Sequence, residues 1–240
     1  MSAELSNNSL INKKVIFEAN AFRRVPIHLG AKIDFLPDGT LLLTSGDGFD
    51  YKEQAQSLNN HFGKIIRLNK DGSVPSDNPF VDIPNALPEI FSYGHRNMQG
   101  LVVMEDGRIF EHEHGPRGGD EFNLIEPGKN YGWPAITYGI DYSGAVISPF
   151  TKMDGMEQPL KYWVPSIAPS DMIYYDGDLY PELKNSFLVT ALKSRDVKKI
   201  KKINSLFSEE SIFSNLKSRL RSIGISPSGE IYLLTDGRKG

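Results

Sequence analysis

Three stretches of the chain repeat one plan: AKIDFLPDGTLLLTSGDG at 31–48, QGLVVMEDGRIFEHEHGP at 99–116 and RSIGISPSGEIYLLTDG at 221–237. Each reads as a strand, a tight turn and a second strand. The turns centre on Asp38-Gly39, Asp106-Gly107 and Ser228-Gly229, where glycine supplies the positive φ that a hairpin turn needs. The turn glycines lie 68 and then 122 residues apart, the second interval being two steps of 61. A fourth copy is therefore expected midway, and SDMIYYDGDLYPELKNSFLVTALK at 170–193 again reads as strand, Gly-containing insertion, strand. A short-stranded unit of this size cannot bury both faces of its own sheet, so the repeats imply an all-β fold of blades stacked radially, a β-propeller. The competing arrangement is a β-sandwich whose hairpins look alike by chance.

No segment has strong helical character, and the best candidate, Lys52 to Leu58, is short and polar and reads as a loop. Two long connections, 69–88 and 126–169, are rich in Pro, Gly, Asp and Asn, as functional or face-wrapping loops are. With 240 residues, 39% of them hydrophobic, the chain can build a sizeable core, read here as one domain over 1–240. The net charge of -3 leaves no basic stripe, which argues against a nucleic-acid partner. No apolar run is long enough for a membrane span, and the first twenty residues lack the charged-then-apolar order of a signal peptide. Without cysteine, disulfides and thiolate metal sites are excluded.

Four places carry chemistry. His28 in IHLGAKIDF precedes a strand and suits a general base near neutral pH, although a histidine bonded to a neighbouring loop would look the same. In SYGHRNMQG, between a strand ending near Tyr93 and one beginning at Leu101, Arg96 offers a planar donor fork and Asn97 a donor and an acceptor, a pairing suited to an anionic, oxygen-rich ligand. HEHGPRGGDE at 112–121 sets His112 and His114 on one strand face and Glu113 on the other. The histidines invite zinc. The Gly115-Pro116 turn, which can aim two backbone carbonyls at one point, with Asp120 and Glu121 following, favours oxygen-ligated calcium. Lastly, Lys193 in ALKSR and Arg219 and Arg221 in KSRLRS stand beside strand ends. The two arginines share a strand face, and they repel unless an anion lies between them or the edge is simply solvated.

Taken together, HLGAKIDFLPDGTLLLTSGDG, GKIIRLNKDGSVPSDNPF, YGHRNMQGL, EHGPRGGDEFNLIEPGKNYGWP and the late LKS and RLR resemble the glucose/sorbosone dehydrogenase family of soluble quinoproteins, in order and from about Val15 to Asp236. The resemblance implies a six-bladed propeller carrying pyrroloquinoline quinone (PQQ) and calcium, which oxidises the C1 hydroxyl of an aldose sugar and passes electrons on to an acceptor. By similarity His28 is the base, and Arg96, Asn97, His114, Asp120 and Ser166 contact the cofactor. The carbonyls of Gly115 and Pro116 hold the catalytic calcium, and Lys193, Arg219 and Arg221 receive the cofactor's carboxylates. A second, structural calcium is implied at Glu121, with Tyr131 and Asp141 as further ligands. Three buried carboxylates need paired cations, a demand that these residues meet.

The family resemblance also implies a periplasmic or secreted protein, a monomer or homodimer, and a chain longer than this one. On that expectation the sequence covers about four blades, the first blade and the closing strand lying outside it, as in a fragment or a truncated gene product. Lys32 stands where many relatives carry arginine. Two other readings compete: a non-catalytic propeller that serves as a binding module, and a calcium-dependent propeller hydrolase. The first gives no reason for a base and four cations around one cavity. The second needs an Asn/Asp/Glu cage that the spacing does not supply.

Overall fold

The computed structural model of the chain describes residues 1–204 and 206–237. Its sheets are antiparallel meanders in chain order. A first hairpin pairs β1 (Ser2–Ser6) with β2 (Ser9–Lys14). Three four-stranded sheets follow: β3 (Gly30–Phe35), β4 (Leu41–Ser45), β5 (Lys64–Leu68) and β6 (Ile90–Tyr93); β7 (Met98–Val103), β8 (Ile109–Glu113), β9 (Asp120–Ile125) and β10 (Lys161–Trp163); β11 (Pro169–Tyr175), β12 (Ser186–Ala191), β13 (Val197–Ile203) and β14 (Leu206–Ile212). Last come β15 (Leu220–Ile225) and β16 (Ile231–Thr235). The first strands of successive sheets are neighbours, β3 against β7, β7 against β11 and β11 against β15. This is a β-propeller arrangement, with three whole blades and two strands of a fourth.

The blades are held by cores that lie between sheets. Leu42, Ile65 and Phe91 of the first blade pack on Met98, Leu101, Ile109 and Ile125 of the second. Phe110 and Phe122 of the second blade, with Trp163, pack on Met172, Phe187, Val189 and Ile200 of the third. Leu188 and Val197 of the third meet Leu220 and Ile223. Each such side chain contributes roughly 1.5–3 kcal/mol when removed from water. Strands β5, β8 and β12 are buried at every position rather than at alternate ones, β8 and β12 between neighbouring sheets and β5 between the second blade and the Ile16–Phe17 segment.

The expected fourth repeat is present as β11 and β12. Some details differ from expectation. Strand β7 begins at Met98, three residues before Leu101, and the long connection after β9 contains the short outer strand β10. Lys52–Gln56 forms a turn of 3-10 helix rather than a plain loop. The β1–β2 hairpin, turning on Asn7 and Asn8 at φ 46° and 61°, answers to no repeat. Among the described residues there is no α-helix, and no helix is long and apolar enough to cross a membrane.

Candidate active site

Because strands alternate in direction, the segment entering each first strand lies at the same end as the loop joining that blade's second and third strands. Backbone bonds tie the two: Gly46 N–H to Leu29 O (3.1 Å), His114 N–H to Asn97 O (3.1 Å), Leu192 N–H to Ala168 O (2.9 Å) and Asp236 N–H to Arg219 O (2.8 Å). Every segment singled out for chemistry in the sequence meets at this end.

His28 sits at φ +51°, a strained region for a side-chain-bearing residue. Gly46 permits the approach, since a Cβ there would stand 2.2 Å from the His28 carbonyl oxygen. The His28 Nδ1–H donates to Asp47 Oδ1 at 2.7 Å, which fixes the tautomer and leaves Nε2 as the proton acceptor. Asp47 is itself rigid and buried: Oδ2 accepts Trp133 Nε1–H (2.8 Å), Oδ1 accepts Phe49 N–H (2.9 Å), and its own N–H donates to Arg96 O (2.7 Å). The edge of the His28 ring meets Phe49, with centroids 5.1 Å apart. A cleft of about 370 Å³ opens here, lined by His28, Asp47, Arg96, Pro116, Trp133 and Asp141 among others. A larger cavity, about 580 Å³, opens at the far end between Val102–Asp106 and Met172–Tyr174, but its wall carries no histidine and no cation. Chemistry therefore belongs to the smaller one.

Arg96 is buried with its guanidinium 5.2 Å from the Trp133 ring centre, and its Nη1 donates to the carbonyls of His114 (2.9 Å) and Gly115 (2.8 Å). A positive group thus rests on the Gly115 carbonyl, one of the two oxygens expected to hold calcium. Arg96 Nε is buried without a partner among the described residues. Gly115 is needed for the turn itself, where a Cβ would lie 2.2–2.3 Å from the backbone of Gly118 and Gly119.

Asp120 is an anchor. Its carboxylate accepts Gly115 N–H (2.9 Å), Ser166 Oγ–H (2.7 Å), Ile167 N–H (2.8 Å) and Ala168 N–H (3.0 Å), joining the Gly115–Pro116 turn to the entrance of β11. His114 Nε2–H donates to Pro169 O at 2.6 Å, and burial lowers its pKa, so the ring is a neutral donor. His112 lies across the sheet from Glu113, with its pKa brought down to about 3 by burial. Asn97, also buried, accepts Gln99 Nε2–H at 3.1 Å.

Arg219 and Arg221 do not line the cleft. They converge on one oxygen, Asp236 Oδ2, at 3.1 and 2.9 Å, so the anion expected between them is a carboxylate of the chain itself. Hydrogen bonds from both arginines hold the Asp236 pKa below the usual carboxylate range. Lys193 stands exposed at the same end. Glu121 and Tyr131 line an enclosed space of about 10 Å³ with Glu113 and Thr137, whereas Asp141, expected beside them, sits in the cleft and accepts Ser143 N–H at 2.8 Å. The Tyr131 hydroxyl turns away to donate to Leu124 O (2.7 Å).

Sequence reasoning missed Asp47, whose signal is an acid directly after the glycine that lets the His28 backbone in. It also missed Glu111, which alternation places beside Glu113 on the side of β8 that faces Glu121 and Asn123 in the β8–β9 register.

The whole chain, residues 1–240, matches the family described as Glucose / Sorbosone dehydrogenase. The chain belongs to the glucose/sorbosone dehydrogenase family. Aldose sugar dehydrogenase YliI of Escherichia coli K12 is 38% identical over 237 residues, covering 95% of this chain and 63% of that protein. Among solved structures, the apo soluble aldose sugar dehydrogenase of Escherichia coli superposes with TM-score 0.93 at 34% identity, over 98% of this chain and 69% of that one. The PQQ-bound aldose sugar dehydrogenase of Streptomyces coelicolor gives TM-score 0.73 at 28% identity, over 97% of this chain and 62% of that one. The chain spans 60–63% of the length of the curated relatives it matches first.

Proposed function

We propose that this glucose/sorbosone dehydrogenase family chain belongs to a PQQ- and calcium-dependent enzyme that oxidises the C1 hydroxyl of an aldose, with His28 as the general base. The observation that carries the reading is the His28–Asp47 pair on the wall of a cleft that also holds Arg96. The residues suit the cofactor. Arg96 keeps a buried Nε without a partner among the described residues, and the arginine pair at 219 and 221 already clamps a carboxylate oxygen. By family resemblance Gly115 and Pro116 would hold calcium and Arg96 the cofactor, with Asn97, His114 and Ser166 beside it, the Gly115 carbonyl keeping one lone pair beyond its bond from Arg96.

When bound, PQQ would supply the acceptor for the C1 hydride, and calcium would supply Lewis-acid stabilisation of the charge that arrives with it. His28 Nε2 takes the hydroxyl proton as the C1–H bond breaks, so the sugar leaves as a lactone two electrons poorer. Asp47 holds the imidazole in register and stabilises the imidazolium that forms, while Trp133 Nε1–H keeps the Asp47 carboxylate from rotating. Asp120 holds the Gly115 turn and the Ser166–Ala168 segment at fixed separation. Lys193, Arg219 and Arg221 would neutralise ligand carboxylates, with Asp236 released from the arginine pair. Family resemblance further supports a periplasmic or secreted setting and an external electron acceptor.

Titrating the chain with PQQ in the presence of calcium or chelator, then adding aldose and a dye acceptor, tests the reading. Calcium-dependent uptake and sugar-driven dye reduction, lost in His28→Ala, are expected. Absence of PQQ binding both by this chain and by a full-length relative's chain carrying its 28–237 segment would overturn it.

A further inference from the structure

Strand β8 carries acids at alternate positions. Glu111 and Glu113 share one side of the strand, and both are buried, at 0% and 3% exposure. His95, at 0% exposure, reaches the same point from the turn ahead of β7, its ring stacked on Tyr131 with centroids 4.6 Å apart. One ligand atom from each of these three side chains lies within 4.8 Å of the others.

The polar accounting at this point does not close. His95 Nδ1 and Glu111 Oε1 have no hydrogen-bond partner among the described residues. Glu111 receives only Asn123 Nδ2–H, at 3.2 Å. The neighbouring ammonium, Lys64, spends its donors on the carbonyls of Gln54, Ala55 and Phe62. Two adjacent buried carboxylates with no cation of their own are costly, and a buried imidazole lone pair facing them adds to the deficit.

We propose that His95, Glu111 and Glu113 bind a divalent first-row transition-metal ion of the zinc or manganese type, at a site separate from the Gly115–Pro116 turn. The donor set decides the class: an imidazole nitrogen with two carboxylates suits zinc or manganese, whereas calcium prefers oxygen alone. With bonds of about 2.0–2.2 Å, neighbouring ligand atoms around a tetrahedral or octahedral ion stand about 3–3.5 Å apart, so the three groups would draw together by roughly an ångström on binding. His95 Nδ1 and Glu113 Oε1 already stand 3.9 Å apart. On its far side His95 Nε2 lies 2.9 Å from Ser92 Oγ, and donation of its proton there leaves the Nδ1 lone pair for the metal. The second oxygen of Glu113 accepts the Arg96 backbone N–H at 2.6 Å. An ion here would pin Glu113, and through it the residue whose side chain enters the cleft, which makes Glu113 a positioning residue.

The test uses tag-free chain stripped with chelator and reloaded separately with Zn2+, Mn2+ or Ca2+, followed by gel filtration and elemental analysis. One equivalent of zinc or manganese is expected to stay with the wild type, with a rise in Tm of about 5–10 °C at a hundredfold excess over Kd. Retention should fall at least tenfold in Glu111→Gln and in His95→Gln, and persist in Glu105→Gln, an exposed acid at the far end of the strands. Glu111→Gln removes a buried charge and should melt no lower than the metal-free wild type, so its loss of metal cannot be blamed on unfolding. Failure of the wild type to retain zinc or manganese, retention of calcium alone, or undiminished retention in Glu111→Gln would each overturn the assignment. Because no PQQ or sugar is present, the outcome is independent of the dehydrogenase reading.

Discussion

The two ends of the strands are built on different rules. At the far end the chain turns by one local recipe. In each of Leu36–Thr40, Met104–Arg108 and Ser226–Glu230 the first residue's N–H bonds the last residue's carbonyl, and a glycine at φ 84°, 85° or 94° bonds back to the first carbonyl. Asn69–Ser73 repeats the pattern. An aspartate before the glycine reinforces three of the four, as Asp38 does for Thr40 N–H at 2.8 Å, Asp106 for Arg108 N–H at 3.1 Å and Asp71 for Ser73 N–H at 2.9 Å. At the cleft end almost every decisive bond joins distant residues: Trp133 to Asp47 over 86 positions, Ser166 to Asp120 over 46. Local turns fix the blades, and long-range polar bonds fix the site.

If that division is right, substitutions at the two ends should fail in different currencies. The largest effect is expected from His28→Ala and Asp47→Ala, which should reduce sugar oxidation by roughly 10²–10⁴-fold, measured as kcat, with little change in Tm for His28→Ala. Asp120→Ala strands four donors at once and should destabilise by about 3–5 kcal/mol, read from urea unfolding; a loss below 1 kcal/mol would mean that the two loops do not depend on it. Trp133→Phe removes one hydrogen bond to the Asp47 carboxylate, worth about 1.5–3 kcal/mol, and should lower kcat more than it raises KM. The smallest effect belongs to the far end: Gly107→Ala meets nothing within 4 Å, so its cost is backbone conformation alone, about 1–2 kcal/mol, with kcat unchanged.

A pH experiment sharpens the comparison. Burial alone would raise the Asp171 pKa, but hydrogen bonds from Lys32 (2.6 Å) and Ser222 outweigh it and leave the pKa lowered. A carboxylate with a depressed folded pKa stabilises fully above its unfolded pKa, and that stability is lost as pH falls through the folded value. The wild type should therefore lose Tm on acidification below about pH 4, while Asp171→Asn should start lower and lose less over the same window. Parallel curves would show that the Lys32 bond carries no weight.

The far end was legible in the sequence because its recipe is contiguous: Asp-Gly pairs between apolar runs announce the turn wherever they occur. His28 was legible through its place just before a strand, Arg96 through its donor fork beside Asn97, and both through family resemblance. What stayed hidden needed register. Glu111 faces Asn123, and Glu113 faces Glu121, only once β8 pairs with β9, and Asp47 reveals its role only when His28 folds back onto it. The carboxylate between Arg219 and Arg221 in this structure is Asp236, just past β16, which spacing within the pair could not name. Strand β10 was invisible because three residues inside a polar connection carry no periodicity.

The Lys32–Asp171 bond spans 139 positions and joins the first strands of blades one and three, with Ser222 and Ile223 of the last blade on the same carboxylate. Its timing follows from simple arithmetic. At about 5–20 residues per second of synthesis, Lys32 leaves the ribosome roughly 7–28 s before its partner exists. During that interval the first blade lacks the bond that ties it to the third, so this link is completed by a residue made long after the blade it holds.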